Sequence, residues 1–551
     1  MRSGGDAVEQ RVMHNHEQKL LRHASVVSVM TAISRIAGLV RELIMAYYFG
    51  TSAVQSAFVV AFRIPNLFRR LFGEGALSNA FIPVFTELLV REGKESASRF
   101  ASRVMGLQST VIGLLVILLM VATWLVEPLF EPDSRWRIIF PLMRIMLPYA
   151  LLICQVALVS AMLNTQQQFR ISSLTPVILN LVWIVALVVC PWVSDQAMGR
   201  VQFISYAILI AGFCQLAFQI PTLRACGLSF GFDFSLKGWR SSPQIRTVLF
   251  MLAPTALGAG LDQINICIDG YLAYYAASWA PAAMEYADRI AYLPLGMFST
   301  AFVTVLTPSY SYFVAQGDYA GLQRTMERAL RNLAVIVAPT MGVLFFLAPA
   351  LVEAIYVWPN GKFDLQSARY TSLAVMAYAP GMFIFSFQKC LTPAFFAMKD
   401  TLTPVKISMA CIALNFFLNI TSILVLPELY RHVGLVTSTV IASLVNGCVA
   451  ASILRRRKNL PVFAQFLPTA AKACVAGVIM ALICLVVHRQ FDVHGSKVLQ
   501  VVALCVAGGV GCLSYLGIMW IWARHDVCEV VDGFRMRSRF RGAAQAMKEE
   551  A

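Results

Sequence analysis

Long apolar runs separated by short polar breaks fill almost the whole chain. About 20 apolar residues are needed to cross a bilayer as a helix. The breaks delimit fourteen runs of that order, near 25–49, 57–90, 104–126, 138–163, 172–192, 200–224, 243–275, 281–313, 328–356, 366–397, 402–426, 432–454, 465–489 and 498–523. A segment in hydrocarbon must satisfy its backbone groups internally, so each run is predicted to be helical. Several exceed the length needed to cross, which predicts tilt or kinks, with Pro65, Pro83, Pro294 and Pro308 as bending points. The expected fold class is an all-α polytopic membrane protein.

Composition agrees. Hydrophobic residues make up 58% of the chain, charged residues 13%, and the mean hydropathy is +0.68, more apolar surface than a soluble core could hide. Residues 1–24 are polar and the first apolar run holds arginines, so it reads as a retained span rather than a cleavable signal. The 13 cysteines are scattered without C-x-x-C spacing and the seven histidines form no ligand group. Free thiols are expected, and neither metal nor cofactor.

Lys and Arg set the orientation. They collect in the breaks after spans two (Arg91, Lys94, Arg99, Arg103), six (Arg224, Lys237, Arg240, Arg246), eight (Arg324, Arg328, Arg331) and twelve (Arg455, Arg456, Arg457, Lys458). The breaks at 50–56 and 278–283 contain none. Basic loops are expected in the cytoplasm, and an even span count puts both termini there. Topology therefore accounts for most of the net charge of +16, with no call for nucleic acid. The stretch 228–242 mixes aromatics with Lys237 and Arg240, as an interfacial segment does.

The chain also repeats itself. AFRIPNLFRRLFGEGALSNAFIPVFTELLVREGK around Arg63 parallels ADRIAYLPLGMFSTAFVTVLTPSYSYFVAQGD around Arg289, and Leu174-Thr175-Pro176 parallels Leu402-Thr403-Pro404, at an offset of 226 to 228 residues. Six spans lie between equivalent points, so the repeats share one orientation, related by an axis along the membrane normal. The organisation expected is an N-terminal tail (1–24), a first six-helix lobe (25–225), an interfacial linker (226–242) and a second six-helix lobe (243–455) around a central cavity. Two extra C-terminal helices (456–523) and a basic tail (524–551) follow.

Charge interrupts the apolar pattern at particular places. Span one carries Arg35, Arg41 and Glu42; span two carries Arg63, Arg69, Arg70 and Glu74; span eight carries Glu285, Asp288 and Arg289. An ionised side chain at the centre of a membrane helix costs about 2.5 to 3.5 kcal/mol on insertion scales and marks a polar path or ligand. Arg63, Arg70 and Glu74 share a helical face while Arg69 points elsewhere. Arg35 and Glu42 share another, with Arg41 about 120° away. Glu285 and Arg289 stand at i,i+4. Two readings compete: salt bridges fastening helices together, or surplus cations awaiting an anion. Bases outnumber nearby acids around Arg35, Arg41, Arg69 and Arg289, which favours the second. Guanidinium groups bind phosphate bidentately and stay charged in poor dielectric, so the anion expected bears phosphate. The Gly73-Glu74-Gly75 break, with Asn66, Ser78 and Asn79 around it, is where irregular backbone is expected to face the cavity.

Four strings carry a family resemblance: SRIAGLVRELIMAYYFG, AFRIPNLFRRLFGEGALSNAFIPVFTE, YADRIAYLPLG and DTLTPVK. They resemble the MurJ (MviN) lipid II flippases of the multidrug/oligosaccharidyl-lipid/polysaccharide exporter superfamily, along nearly the whole chain. The resemblance implies transport of undecaprenyl-pyrophosphoryl disaccharide-pentapeptide from the inner to the outer leaflet of the bacterial cytoplasmic membrane, for peptidoglycan synthesis, by alternating access. It places substrate-binding arginines at Arg35, Arg41, Arg69 and Arg289, with Arg63, Arg70, Glu74 and Asp288 as supporting charges. It makes the last two helices part of a groove for the polyprenyl tail. Ser56 stands where some relatives have an aspartate, which removes any role tied to that carboxylate. The resemblance also implies coupling to the membrane potential or an ion gradient, for which Asp262 and Asp269, sharing a face at i,i+7, are the candidates. Expected partners are lipid II, membrane lipids and cell-wall synthesis proteins. The alternatives are an exporter of another polyprenyl-pyrophosphate-linked oligosaccharide, a membrane-embedded enzyme, for which no D-D-x-x-D or His cluster is present, and a structural scaffold, which leaves the arginines unexplained.

Overall fold

The computed structural model describes residues 27–73, 76–458, 466–491 and 496–529. The expected N-terminal tail, most of the basic C-terminal tail and Glu74 lie outside them. Among the described residues every regular element is helical. α1 covers 27–49. It is followed by α2 (Ala53–Phe68), a π-helical turn (Arg69–Gly73), α3 (Ala76–Arg91), α4 (Lys94–Val126), α5 (Trp136–Thr165), α6 (Phe169–Val193), α7 (Ala197–Ala225) and the short α8 (Leu236–Ser241). Then come α9 (Pro243–Ala276), α10 (Ala280–Ala315), α11 (Tyr319–Phe346), α12 (Ala348–Tyr356), α13 (Leu365–Ala397), α14 (Leu402–Val425), α15 (Glu428–Lys458), α16 (Phe466–Arg489) and α17 (Lys497–Trp522).

Ten helices among the described residues, α4 to α7, α11 and α13 to α17, are long and apolar enough to cross a membrane. The other four expected spans are α1, α2 with α3, α9 and α10. These are the helices whose apolar runs are interrupted by the candidate charges. Pro65, Pro83, Pro294 and Pro308 all lie inside helices. One expected run, 328–356, is broken at Leu347, because Pro349 occupies the first turn of α12, the helical position that tolerates a missing N–H.

The chain divides between Tyr274 and Tyr275 into two compact units. In the first, α5 is the central helix, packed by α2, α4, α6 and α7. Its buried positions include Met146, Leu147, Tyr149 and Cys154. Helices in lipid gain from close packing and internal polar contacts rather than from water exclusion. Gly212 of α7 supplies the first, since a Cβ there would sit 3.0 Å from Tyr149 and Leu152 side-chain carbons. A buried amide network supplies the second. Gln155 Nε2 donates to Gln108 Oε1 (3.2 Å) and Ser109 Oγ (3.0 Å), and Gln219 Nε2 to Thr175 Oγ1 (2.8 Å) and Ser160 Oγ (2.9 Å). Each such interhelical bond contributes about 0.6 kcal/mol. The span at 243–275, which the sequence pattern groups with the second lobe, joins this first core through Tyr274, whose hydroxyl donates to the Arg135 carbonyl at 2.7 Å.

In the second unit the central helix is α13, packed by α10, α11, α12 and α15. α16 crosses α11 at glycine: a Cβ on Gly477 would lie 2.7 Å from the Ala338 carbonyl oxygen, and one on Gly342 would meet the Gly477 backbone. α17 packs on α16, with the Cys484 thiol donating to the Ala507 carbonyl (3.1 Å), and on α11, with the Tyr515 hydroxyl donating to the Val335 carbonyl (2.7 Å). The two C-terminal helices are thus fastened to the second unit by small residues and polar contacts together.

Candidate functional site

The candidate arginines fall into two environments. Arg41 of α1 is held from three sides. Its Nη2 pairs with Glu42 at 2.5 Å, its Nη1 donates to Asn180 Oδ1 at 3.0 Å, and its guanidinium carbon stands 4.2 Å from the Trp183 ring centre. Asn180 Nδ2 in turn donates to the Ser34 carbonyl at 3.1 Å. Trp183 is braced edge-on by Phe58 and Phe62 at 5.5 and 5.4 Å. The Arg41 side chain is only 12% exposed. A guanidinium stacked on indole and paired with carboxylate is a fixed cation, its charge largely met by protein.

Arg63 of α2 is fixed in another way. Its Nη1 donates to the Ile266 carbonyl of α9, and its guanidinium lies on Gly270, where a Cβ would come within 2.6 Å of Cζ. Glycine is required there because only a bare backbone admits the arginine. Arg69 opens the π-helical turn and donates from Nε to Asn66 Oδ1 at 2.9 Å; Arg70, next to it, is exposed. π-Turns are rare and recur at functional sites. This one falls beside the glycine pair singled out in the sequence. The Cys154 thiol of α5 approaches the Phe68 carbonyl at 3.7 Å, serving backbone at the junction.

Arg35, also on α1, is exposed. Arg289 of α10 is 47% exposed and donates from Nη2 to Glu285 Oε1 at 2.9 Å, the pair that i,i+4 spacing suggests. Asp288 beside it is half-buried. On α9, Asp262 is exposed while Asp269 is buried and accepts from Asn265 Nδ2 at 3.3 Å. Ser56 is buried in the first turns of α2. The structure therefore brings Arg41 to Glu42, Arg69 to Asn66, Arg63 to the α9 backbone and Arg289 to Glu285. Asn180 and Trp183 were not among the sequence candidates. The available signal was an Asn and a Trp one turn apart in an otherwise apolar span.

One group of potential metal ligands is present among the described residues, His525, Asp526 and Glu529. Its carboxylates face arginine: Glu529 pairs with Arg328 at 2.5 Å and Arg331 at 3.4 Å, and Asp526 lies 3.7 Å from Arg331. Cations already occupy the places an ion would take.

Ten helices of membrane length and apolar composition among the described residues define a polytopic membrane protein. The solved structures agree on the fold. A structure titled lipid II flippase MurJ, inward closed conformation, superposes with a TM-score of 0.71 at 24% identity, covering 90% of this chain and 98% of that one. An inward-facing multidrug resistance MATE transporter of the MOP superfamily superposes at 0.63 and 14% identity, covering 78% and 98%. The sequence matches are closer. The family described as lipid II flippase MurJ matches residues 45–520. A probable lipid II flippase MurJ of Rhizobium tropici is 30% identical over 80% of this chain and 82% of its own length. One of Vibrio cholerae serotype O1 is 29% identical over 91% and 96%. The chain belongs to the MurJ lipid II flippase family.

Proposed function

We propose that this protein flips lipid II from the cytoplasmic to the periplasmic leaflet of the bacterial inner membrane, by alternating access. The observation that carries the reading is the set of arginines on membrane helices in a chain of this family. Arg289 keeps nearly half its side chain accessible, and Arg35 is exposed on the helix that also fixes Arg41. A pyrophosphate is a doubly anionic group that several guanidinium forks can share. In this reading Arg35 and Arg289 contact it directly. Arg41 and Arg69, oriented by Glu42, Asn180 and Asn66, complete the cationic lining. Arg63, Arg70, Glu74 and Asp288 set the local charge balance. Movement is driven by the membrane potential or an ion gradient, with Asp262 and Asp269 as the coupling pair, and no cofactor takes part. About fourteen spans in two six-helix lobes, two extra helices for the polyprenyl tail, and both termini in the cytoplasm complete the architecture. Cell-wall synthesis proteins are the expected protein partners.

The test is functional replacement. Expressed in a bacterium depleted of its own flippase, the chain is expected to restore growth and make lipid II accessible to an externally added lipid II-cleaving enzyme. Correct insertion without restored cleavage would overturn the reading in favour of another lipid-linked oligosaccharide.

A further inference from the structure

From Leu228 to Leu236 the sequence LSFGFDFSL alternates apolar with small or polar residues without a break. Such a period belongs to an extended segment with two distinct faces. The structure uses each face differently. α7 ends in a Schellman turn: Gly227 takes φ +73°, its N–H donates to the Arg224 carbonyl (2.8 Å), and the Leu228 N–H donates to the Leu223 carbonyl (3.2 Å). The polar face then lies along the first turns of α4. Ser229 N–H donates to Ser98 Oγ (3.2 Å) and Asp233 N–H to the Ser102 carbonyl (2.9 Å). Over Gly106 the Asp233 backbone comes so near that a Cβ would sit 2.6 Å from its carbonyl carbon. Ser98, Ser102 and Gly106 are four residues apart, one small residue per turn, and form the channel that holds the strap. Arg103 Nε donates to the Asp233 carboxylate (3.3 Å), and the Trp239 indole donates to the Asp233 carbonyl (2.9 Å), which ties α8 to the same anchor.

The apolar face leaves the core step by step. Leu228 is 2% exposed and Phe230 half-buried, whereas Phe232, Phe234 and Leu236 are 41%, 59% and 68% exposed. The phenylalanine rings brace one another, with centroids 5.2 Å and 5.9 Å apart along the row. Exposed Lys237 and Arg240 follow on α8, Arg246 on α9, and Arg99 stands on the α4 turn beside the strap. A rigid aromatic row pinned through its own backbone is unlike a solvated linker, and exposed apolar patches of this kind mark contact surfaces.

The geometry points to this strap as a leaflet anchor that binds anionic phospholipid headgroups. Phe232, Phe234 and Leu236 enter the headgroup–acyl boundary, and Lys237 and Arg240 meet the phosphates. The occupant is set by charge, since every ionisable side chain flanking the exposed row on α8 and the first turns of α9 is basic, and by continuity with the neighbouring membrane helices α4 and α7. It is independent of the transported lipid, because none of these residues belongs to the arginine set described above. Each basic residue near an anionic surface contributes about 1 kcal/mol, a factor of about five.

The test is backbone amide exchange of the full chain in nanodiscs of phosphatidylglycerol with phosphatidylethanolamine, and in nanodiscs of phosphatidylcholine alone. Amides in 232–241 are expected to exchange at least about fivefold more slowly in the anionic discs. The Lys237→Glu/Arg240→Glu variant should lose that difference, and Phe232→Ser/Phe234→Ser should exchange rapidly in both discs. Equal rates for the unaltered chain in the two discs, whether fast or slow, would overturn the assignment.

Discussion

Arg41 and Arg289 are the same residue on helices the sequence treats alike, yet one side chain is 12% exposed and the other 47%. Around Arg41 a carboxylate, an amide and an indole converge from α1 and α6. Arg289 pairs with Glu285 of its own helix, one turn away and itself partly exposed. An arginine surrounded by partners from another helix is a fastener as well as a cation. An arginine whose ion pair lies along its own helix and whose side chain stays 47% exposed can be reached by a ligand. The salt-bridge reading is therefore to be tested first at Arg41, and the anion-site reading at Arg289.

The largest effect should come from breaking the fastener. Arg41→Ala removes the ion pair with Glu42 and empties the face of Trp183, and removing one partner of a buried pair costs about 3 kcal/mol or more. Thermal unfolding of the purified protein should begin well below the wild-type midpoint, and the Arg41→Met/Glu42→Gln double variant should recover much of the loss. An unchanged midpoint in Arg41→Ala would remove the distinction. Arg289→Ala should leave the midpoint in place and reduce transport by about tenfold to a hundredfold, since a hydrogen bond to a charged group contributes about 1.5 to 3 kcal/mol.

A smaller effect extends the fastener class to Arg63. Gly270→Ala places a methyl against its guanidinium and should cost about 1 to 3 kcal/mol. Gly260→Ala, where the Cβ would meet only the far end of the Leu71 side chain, serves as the control in the same unfolding assay. The smallest effect belongs to a pair outside the spans. Asp400, between α13 and α14, accepts from the Thr403 hydroxyl (2.6 Å) and N–H (3.0 Å) and pairs with Arg457 at 2.8 Å. These contacts, the Thr403 hydroxyl first, hold its carboxyl below the usual range. A depressed carboxylate pKa stabilises the fold above the unfolded-state value and loses that contribution as pH falls through the folded one. Asp400→Asn should therefore lower the midpoint slightly at neutral pH and not at all in strong acid. A difference that grows on acidification would contradict the assignment.

Much of this architecture is legible in the sequence because lipid imposes a length and a backbone rule on every crossing segment. The long helices and the irregular turn ending at Gly73 follow from those two constraints, whereas the limits are looser, since α4 begins at Lys94 and α11 at Tyr319, ahead of the runs expected from 104 and 328. The break at Leu347 is harder to read, because Pro349 sits within a run whose apolar character continues on both sides. The partners of the arginines are harder still. Periodicity reports which residues share a face of one helix, so it pairs Glu285 with Arg289, but it carries nothing about how a neighbouring helix is rotated, and Asn180 and Trp183 are reached only through that rotation. A backbone carbonyl leaves no mark in the sequence at all, and the sole trace of the Arg63 contact is a glycine at 270.

Counting externally cleavable lipid II in flippase-depleted cells that carry either the wild-type chain or Arg289→Ala at equal abundance tests the central claim most directly. The account predicts abundant cleavage with the wild type and near-background cleavage with the variant. Equal cleavage by both would contradict an accessible arginine as the pyrophosphate contact, and cleavage by neither would contradict the flippase itself.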